Sequence, residues 1–85
     1  MKYAIVYKKS AAEELLRLPQ GMAYKVKTAI DNLAGNPRPP RCSKLKGSVS
    51  DYRIRVGNYR IIYTIADTLL IITIIKIAHR KSAYR

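Results

Sequence analysis

The stretch YRIRVGNYRIIY, Tyr52 to Tyr63, decides how the chain is read. Apolar or aromatic residues alternate with polar ones on either side of Gly57-Asn58, the pattern of two strands joined by a tight turn. Glycine and asparagine tolerate positive φ, so a two-residue loop of this composition favours a primed hairpin turn. Such a turn sets Val56 opposite Tyr59, Arg55 opposite Arg60, Ile54 opposite Ile61, Arg53 opposite Ile62 and Tyr52 opposite Tyr63. Side chains alternate across a strand, so Tyr52, Ile54, Val56, Tyr59, Ile61 and Tyr63 share one face. Arg53, Arg55 and Arg60 share the other, which is expected to be open. Directly opposed residues lie only about 5 Å apart, and like charges placed there are destabilising. Asp51 is the only acid nearby in sequence. Folding alone gives no reason for such an arrangement. A bound anion does, and guanidinium forks match phosphate oxygens.

Outward from the hairpin, KYAIVY (Lys2–Tyr7) reads as a first strand. Ser10 opens Ser-Ala-Ala-Glu, a capping box with Glu13, and AAEELLRL follows as a helix that stops at Pro19. Gln20-Gly21 is expected to bend the chain. A second helix then places Met22, Val26, Ala29, Ile30 and Leu33 at helical spacing, with Gly35 positioned to end it. So short a link makes the two helices a hairpin. NPRPPR, residues 36–41, is a stiff extended connector because proline restricts both itself and its predecessor. SKLKGSVSD is a polar loop anchored by Leu45. After the Tyr52–Val56 and Tyr59–Ile65 strands and a turn near Asp67-Thr68, LLIITIIKIA (Leu69–Ala78) reads as a central strand buried on both faces. The order β-α-α-β-β-β predicts an α+β fold: an N-terminal strand, a helical hairpin, then an antiparallel sheet covered on one face by the helices.

At 85 residues the chain is expected to form one domain, 1–85, of modest stability. One cysteine, Cys42, excludes an internal disulfide, and a single histidine beside it cannot build a structural zinc site. Cys42 itself reads as a bystander. The apolar run at 69–78 is far short of the roughly 20 residues of a membrane span and carries Lys76. No signal peptide is legible, so a soluble, intracellular protein with no membrane partner is expected. Charge is the loudest global feature: 17 Lys plus Arg against five Asp plus Glu, net +12. It is also lopsided, since residues 38–85 hold eleven bases and two acids. That field implies a polyanionic partner, an acidic protein partner, or both. The ending HRKSAYR, residues 79–85, leaves the last strand directly and can bring a histidine, cations and a tyrosine close to the arginine face.

KLKG, then YRIRVGNYRIIYTI, a long apolar strand and the final HRKSAYR together resemble the RelE toxins of bacterial and archaeal toxin–antitoxin modules. The likeness spans nearly the whole chain. The hairpin is shared with the related ParE toxins, whereas the His-Arg-Lys-x-x-Tyr-Arg ending points to RelE. The resemblance implies a ribosome-dependent mRNA endonuclease that cuts the A-site codon by attack of a ribose 2′-hydroxyl on the adjacent phosphodiester, with no metal or other cofactor. It would give Arg53, Arg55 and Arg60 the scissile phosphate, Tyr84 the role of general base, and Arg80 the leaving oxygen. His79 has a side chain suited to proton transfer. Lys44, Lys46, Lys81 and Arg85 would contact RNA or ribosome through charge. Well-known members carry lysines where this chain has Arg53 and Arg55, which changes any proton-donor role there. The implied partners are the ribosome and mRNA, a RelB-like antitoxin with an acidic amphipathic segment, and operator DNA only through that antitoxin, all in the cytoplasm. Two other readings stay open: a ParE-like toxin that inhibits DNA gyrase by protein binding, and a non-catalytic basic module for nucleic acid or ribosomes.

Overall fold

The computed structural model describes residues 2–80; Lys81, Tyr84 and Arg85 lie outside them. The elements are β1 (Ala4–Tyr7), α1 (Lys9–Leu16), α2 (Gln20–Leu33), β2 (Ser43–Lys44), β3 (Asp51–Val56), β4 (Tyr59–Ala66) and β5 (Ile71–His79). They form a five-stranded sheet in the order β1-β5-β4-β3-β2. From β2 to β5 the sheet is an antiparallel meander, as tight turns between sequential strands require. β1 departs from the expected all-antiparallel sheet. It pairs parallel with β5, Ala4 beside Ile71 through Tyr7 beside Ile74. The helical hairpin is the reason, because it carries the chain from β1 at one edge across the sheet to β2 at the other.

The β3–β4 register is the one the turn demands, from Val56 opposite Tyr59 to Tyr52 opposite Tyr63. Gly57 takes φ +59° and Asn58 stays negative, as in a II′ turn with glycine at its first central position. Met22 of α2 closes over this glycine, with its methyl carbon 2.9 Å from where a Cβ would stand. Ile54, Ile61, Tyr63, Ile65, Ile72, Ile74 and Ile77 of the sheet pack with Val26, Ile30 and Leu33 of α2 and Ala11 of α1.

β5 was expected to be buried on both faces, and it is not. Ile72, Ile74 and Ile77 are buried, whereas Ile71, Thr73 and Ile75 are half-buried and Lys76 is exposed. Its continuous apolar run reflects a bulge: Ile62 faces Lys76 but Tyr63 faces Ile74, so Ile75 is the extra residue. Past Tyr7, where β1 ends, the Ile77 N–H donates to Glu14 Oε1 of α1 at 2.8 Å. A side chain thus takes the place of the missing strand.

Local helix signals were less faithful. α1 starts one residue before Ser10 with Lys8 as N-cap and no side-chain cap, so the capping box does not form. Gln20 and Gly21 are the first turn of α2, whose N-cap is Pro19. Gly35 is not in the left-handed region and does not terminate α2 that way. The strand pair Ser43–Lys44 against Arg53–Tyr52 lies where a loop was expected. No helix among the described residues is long and apolar enough to cross a membrane.

The proline connector covers the part of the apolar face that the helices leave. The Tyr63 hydroxyl donates to the Pro37 carbonyl at 2.7 Å, and the Tyr52 and Tyr63 rings stack at 6.0 Å. Arg38 lies 5.1 Å from the Tyr52 ring centre and donates from Nε to its hydroxyl at 3.0 Å. Its other nitrogens grip Asp67 at 2.8 and 3.3 Å, and Tyr3 donates to the same carboxylate at 2.7 Å. These donors hold the Asp67 carboxyl below the usual aspartate value, with the Arg38 hydrogen bonds the larger cause. Burial pushes the Tyr63 phenol up. Cys42 is half-buried against the core and so contributes packing, more than a bystander does.

Two outcomes test this architecture. Gly57→Ala forces a side chain into left-handed backbone and is expected to lower stability by about 1–3 kcal/mol in urea unfolding; an unchanged midpoint contradicts the turn. Because the Asp67 pKa is depressed by folding, its bridge contributes above the ordinary aspartate pKa of 3.8 and is lost as pH falls through the lower folded value. Wild type is therefore expected to exceed Asp67→Asn in urea midpoint at neutral pH, the difference closing in strong acid.

Candidate nucleic-acid interface

The sheet face turned away from the helices carries Arg53 and Arg55 from β3 and Arg60 from β4. Arg55 is directly opposite Arg60, as the turn dictates. The three are not equally accessible, which departs from the open cluster expected. Arg55 is exposed and Arg53 half-exposed, but Arg60 is 3% exposed. Its position explains this, since β4 is an inner strand and Arg60 sits between Arg55 on β3 and Ala78 on β5.

Charge around this face is unbalanced because the acids are committed elsewhere. Asp67 is bound by Arg38 and Tyr3 at the opposite end of the hairpin, in the β4–β5 turn. Asp31 pairs with Lys27 at 3.0 Å along α2, and Glu14 accepts the Ile77 N–H. Asp51 is the exception: it begins β3 on the same face, two residues or roughly 7 Å of strand from Arg53 and four residues from Arg55. Among the described residues neither Arg53 nor Arg55 has a carboxylate in ion-pair range. Phosphates would meet preformed guanidinium donors on a rigid sheet with few competing anions.

Other sequence-predicted residues are distributed less simply. Arg80 follows β5 and its N–H donates to the Asn58 carbonyl at 2.7 Å, holding it at the Gly57-Asn58 turn. Alternation from Ala78 puts it on the arginine side of the sheet. His79 goes the other way. It is paired with Tyr59, and the two rings meet edge to face at 5.4 Å on the face shared with Val56 and Ile61. The sheet therefore separates this imidazole from Arg55 and Arg60. Lys44 is opposite Tyr52 in the β2–β3 pair, and Lys46 is exposed in the loop beyond it. Tyr84, Lys81 and Arg85 fall outside the described residues.

Arg41, at the end of the proline connector, was not singled out by the sequence, yet it lines a cleft of about 420 Å³ with Ser43, Arg53, Arg55 and Gly57. Only the unexpected strand at Ser43–Lys44 brings it there, by pairing Ser43 with Arg53. The other basic-proline residue, Arg38, points to the Asp67 network instead.

A meandering sheet backed by a helical hairpin is an architecture shared with solved chains of toxin–antitoxin complexes. The archaeal RelE–RelB complex of Pyrococcus horikoshii contains a chain that superposes with a TM-score of 0.84 at 29% identity, over 94% of this chain and 97% of that one. A protein of Methanocaldococcus jannaschii provisionally named toxin RelE1 is 35% identical over 88 aligned positions, covering 100% of this chain and 98% of its relative. Toxin RelE3 of the same organism is 32% identical, over 94% and 93% of the two chains. Residues 5–84 match the family model described as ParE toxin of type II toxin–antitoxin system, parDE. The chain belongs to the RelE/ParE toxin family and is a RelE-type toxin of a toxin–antitoxin system.

If Arg55 and Arg60 repel across the ladder, Arg55→Gln is expected to stabilise the fold by about 0.2–1 kcal/mol at low salt. The gain should shrink as salt screens the pair. Urea titrations at two ionic strengths measure it, and a loss of stability in both would contradict the arrangement.

Proposed function

We propose that the protein is a ribosome-dependent mRNA endonuclease that cuts the codon in the ribosomal A site. The observation that carries this reading is the Arg53, Arg55 and Arg60 face, on which neither Arg53 nor Arg55 is ion-paired among the described residues and whose guanidinium forks suit phosphate. A ribose 2′-oxygen attacks the adjacent phosphorus, a base takes its proton, and the bond to the 5′-oxygen breaks. The products are a 2′,3′-cyclic phosphate and a 5′-hydroxyl that gains a proton. Arg53, Arg55 and Arg60 stabilise the negative charge that builds on the phosphorane oxygens. Tyr84 is the proposed general base; a tyrosine phenol has an ordinary pKa near ~10, so the role requires cations that favour its anion. Arg80, at the same end of the hairpin, stabilises the leaving oxygen electrostatically, because a guanidinium gives up its proton too reluctantly to act as an acid at neutral pH. His79 remains an acid–base candidate only if the site reaches past the turn to the Tyr59 side. Lys44, Lys46, Lys81 and Arg85 contribute sequence-independent attraction to RNA and ribosome. No step calls for a metal or other cofactor. With so few groups for acid–base work, the ribosome supplies much of the orientation of the message.

The same reading gives the protein a RelB-like antitoxin, since chains of this shape occur in solved RelE–RelB complexes from Pyrococcus horikoshii and Methanococcus jannaschii. Charge requires it to present an acidic, amphipathic segment. Operator DNA is reached through that antitoxin, and the site of action is the cytoplasm.

An in vitro translation reaction with purified protein, with mRNA 5′ ends mapped, tests the reading. Cuts within A-site codons are expected with ribosomes and not without them. Arg60→Gln, Arg80→Ala and Tyr84→Phe should each lower cleavage by at least about tenfold to a hundredfold. If growth inhibition persists in Arg80→Ala and Tyr84→Phe, a ParE-like action on gyrase, by protein binding, replaces the nuclease.

A further inference from the structure

The cleft that Arg41 shares with Arg53 and Arg55 extends the basic face beyond the three arginines of the hairpin. Its walls are Arg41, Ser43, Arg53, Arg55 and Gly57. Arg53 and Ser43 are cross-strand partners, so both stand on the open face. Arg55 lies two positions along β3, about 7 Å from Arg53 by strand rise. β2 ends the sheet here, and the connector turns back through Arg41, closing the cleft's outer side with another guanidinium. Three cations and a hydroxyl therefore converge on a space with no acidic wall. Among the described residues none of the three arginines has a salt bridge. Arg41 and Ser43 are exposed, so neither is held in place by the fold's own packing needs.

We propose that this cleft is a second phosphate subsite, in which Arg41 and Ser43 hold a phosphate of the RNA strand flanking the one under attack. The proposal rests on the nuclease reading of the arginine face and adds to it a binding residue outside the hairpin. An RNA strand fits the cleft better than a protein does. An acidic amphipathic helix needs an apolar wall to seat its side chains, and none of the five lining residues supplies one. Such walls, from Ala29, Leu33, Pro39, Ile54 and Val56, occur in an adjoining hollow of about 510 Å³ that shares Arg41, Arg55 and Gly57 with the cleft but has neither Ser43 nor Arg53 in its lining. Phosphate oxygens need only the donors that the first cleft offers, two forks on one wall, one on the other, and a hydroxyl between. Holding a flanking phosphate fixes the strand along β3 and so sets which linkage comes to rest over Arg55 and Arg60.

Binding of a 5′-labelled single-stranded oligouridylate to the purified protein, followed by fluorescence anisotropy across a KCl series, tests the subsite. Removing one phosphate contact reduces the slope of log K against log salt by about 0.7 for single strands. Arg41→Gln is expected to show that reduction and to weaken binding by about tenfold at low salt. Arg41→Lys should keep the slope. Lys25→Gln, which removes an exposed charge from α2, should leave slope and affinity near wild type. Melting temperatures equal to wild type in all three variants exclude a folding effect. In the translation reaction Arg41→Gln should raise KM with little change in kcat, as loss of ground-state binding does. If Arg41→Gln behaves like Lys25→Gln in both assays, the subsite is refuted. If it leaves RNA binding intact but weakens an acidic antitoxin peptide, the cleft is a protein-docking surface and the proposal is likewise overturned. Wild-type protein that cleaves nothing, while Arg41→Gln still loses the salt slope, would remove the nuclease reading and support the subsite.

Discussion

The two-residue turn at Gly57-Asn58 is the constraint on which the rest depends. A strand has only two faces, and a one-residue slip would exchange them. With Val56 held opposite Tyr59, the aromatic and aliphatic residues of β3 and β4 all go to the helices, and the arginines all go the other way. The position at Gly57 permits no shift, since its φ of +59° suits glycine and Met22 occupies the space beside it. Core and basic face are thus two consequences of one register.

Around that register the molecule sorts its charge by position. At one end of the sheet Asp67 gathers Arg38 and Tyr3, and through Arg38 the proline connector is pinned over Tyr52. At the other end Arg55, Arg60 and Arg80 lie near the turn. A basic protein that only needed solubility would mix its signs over the surface. Here Asp67, Asp31 and Glu14 serve the scaffold, bridging Arg38, pairing within α2 and accepting the Ile77 N–H. The turn sets Arg55 directly opposite Arg60, a placement of like charges that a sheet does not ordinarily favour.

Family membership makes the chain a RelE-type toxin but assigns no residue its role. Arginine at 53 and 55 brings charge and a planar fork but, compared with lysine, makes proton donation less favourable. His79, attractive by its chemistry, packs on Tyr59 across the sheet from the arginines. Arg41 had no chemical signature of its own, and comes to the face only because β2 folds back along β3. Positions on a face follow from chain geometry, but which faces meet is decided between segments far apart in sequence.

Much of the architecture was legible in residues 52–63, because strand alternation and a turn with strict backbone demands are local properties. The meander of the last three strands and the placement of Arg53, Arg55 and Arg60 on one side could be read in this way, and the helical pair from its own periodicity. Helix ends could not: Ser10 fits a capping box but lies inside α1, since the strand before it sets where the helix begins. The parallel pairing of β1, the bulge at Ile75 and the burial of Arg60 depend on neighbours brought together from distant parts of the chain. Periodicity tells a side chain which way to point, whereas only the assembled sheet decides what it meets there.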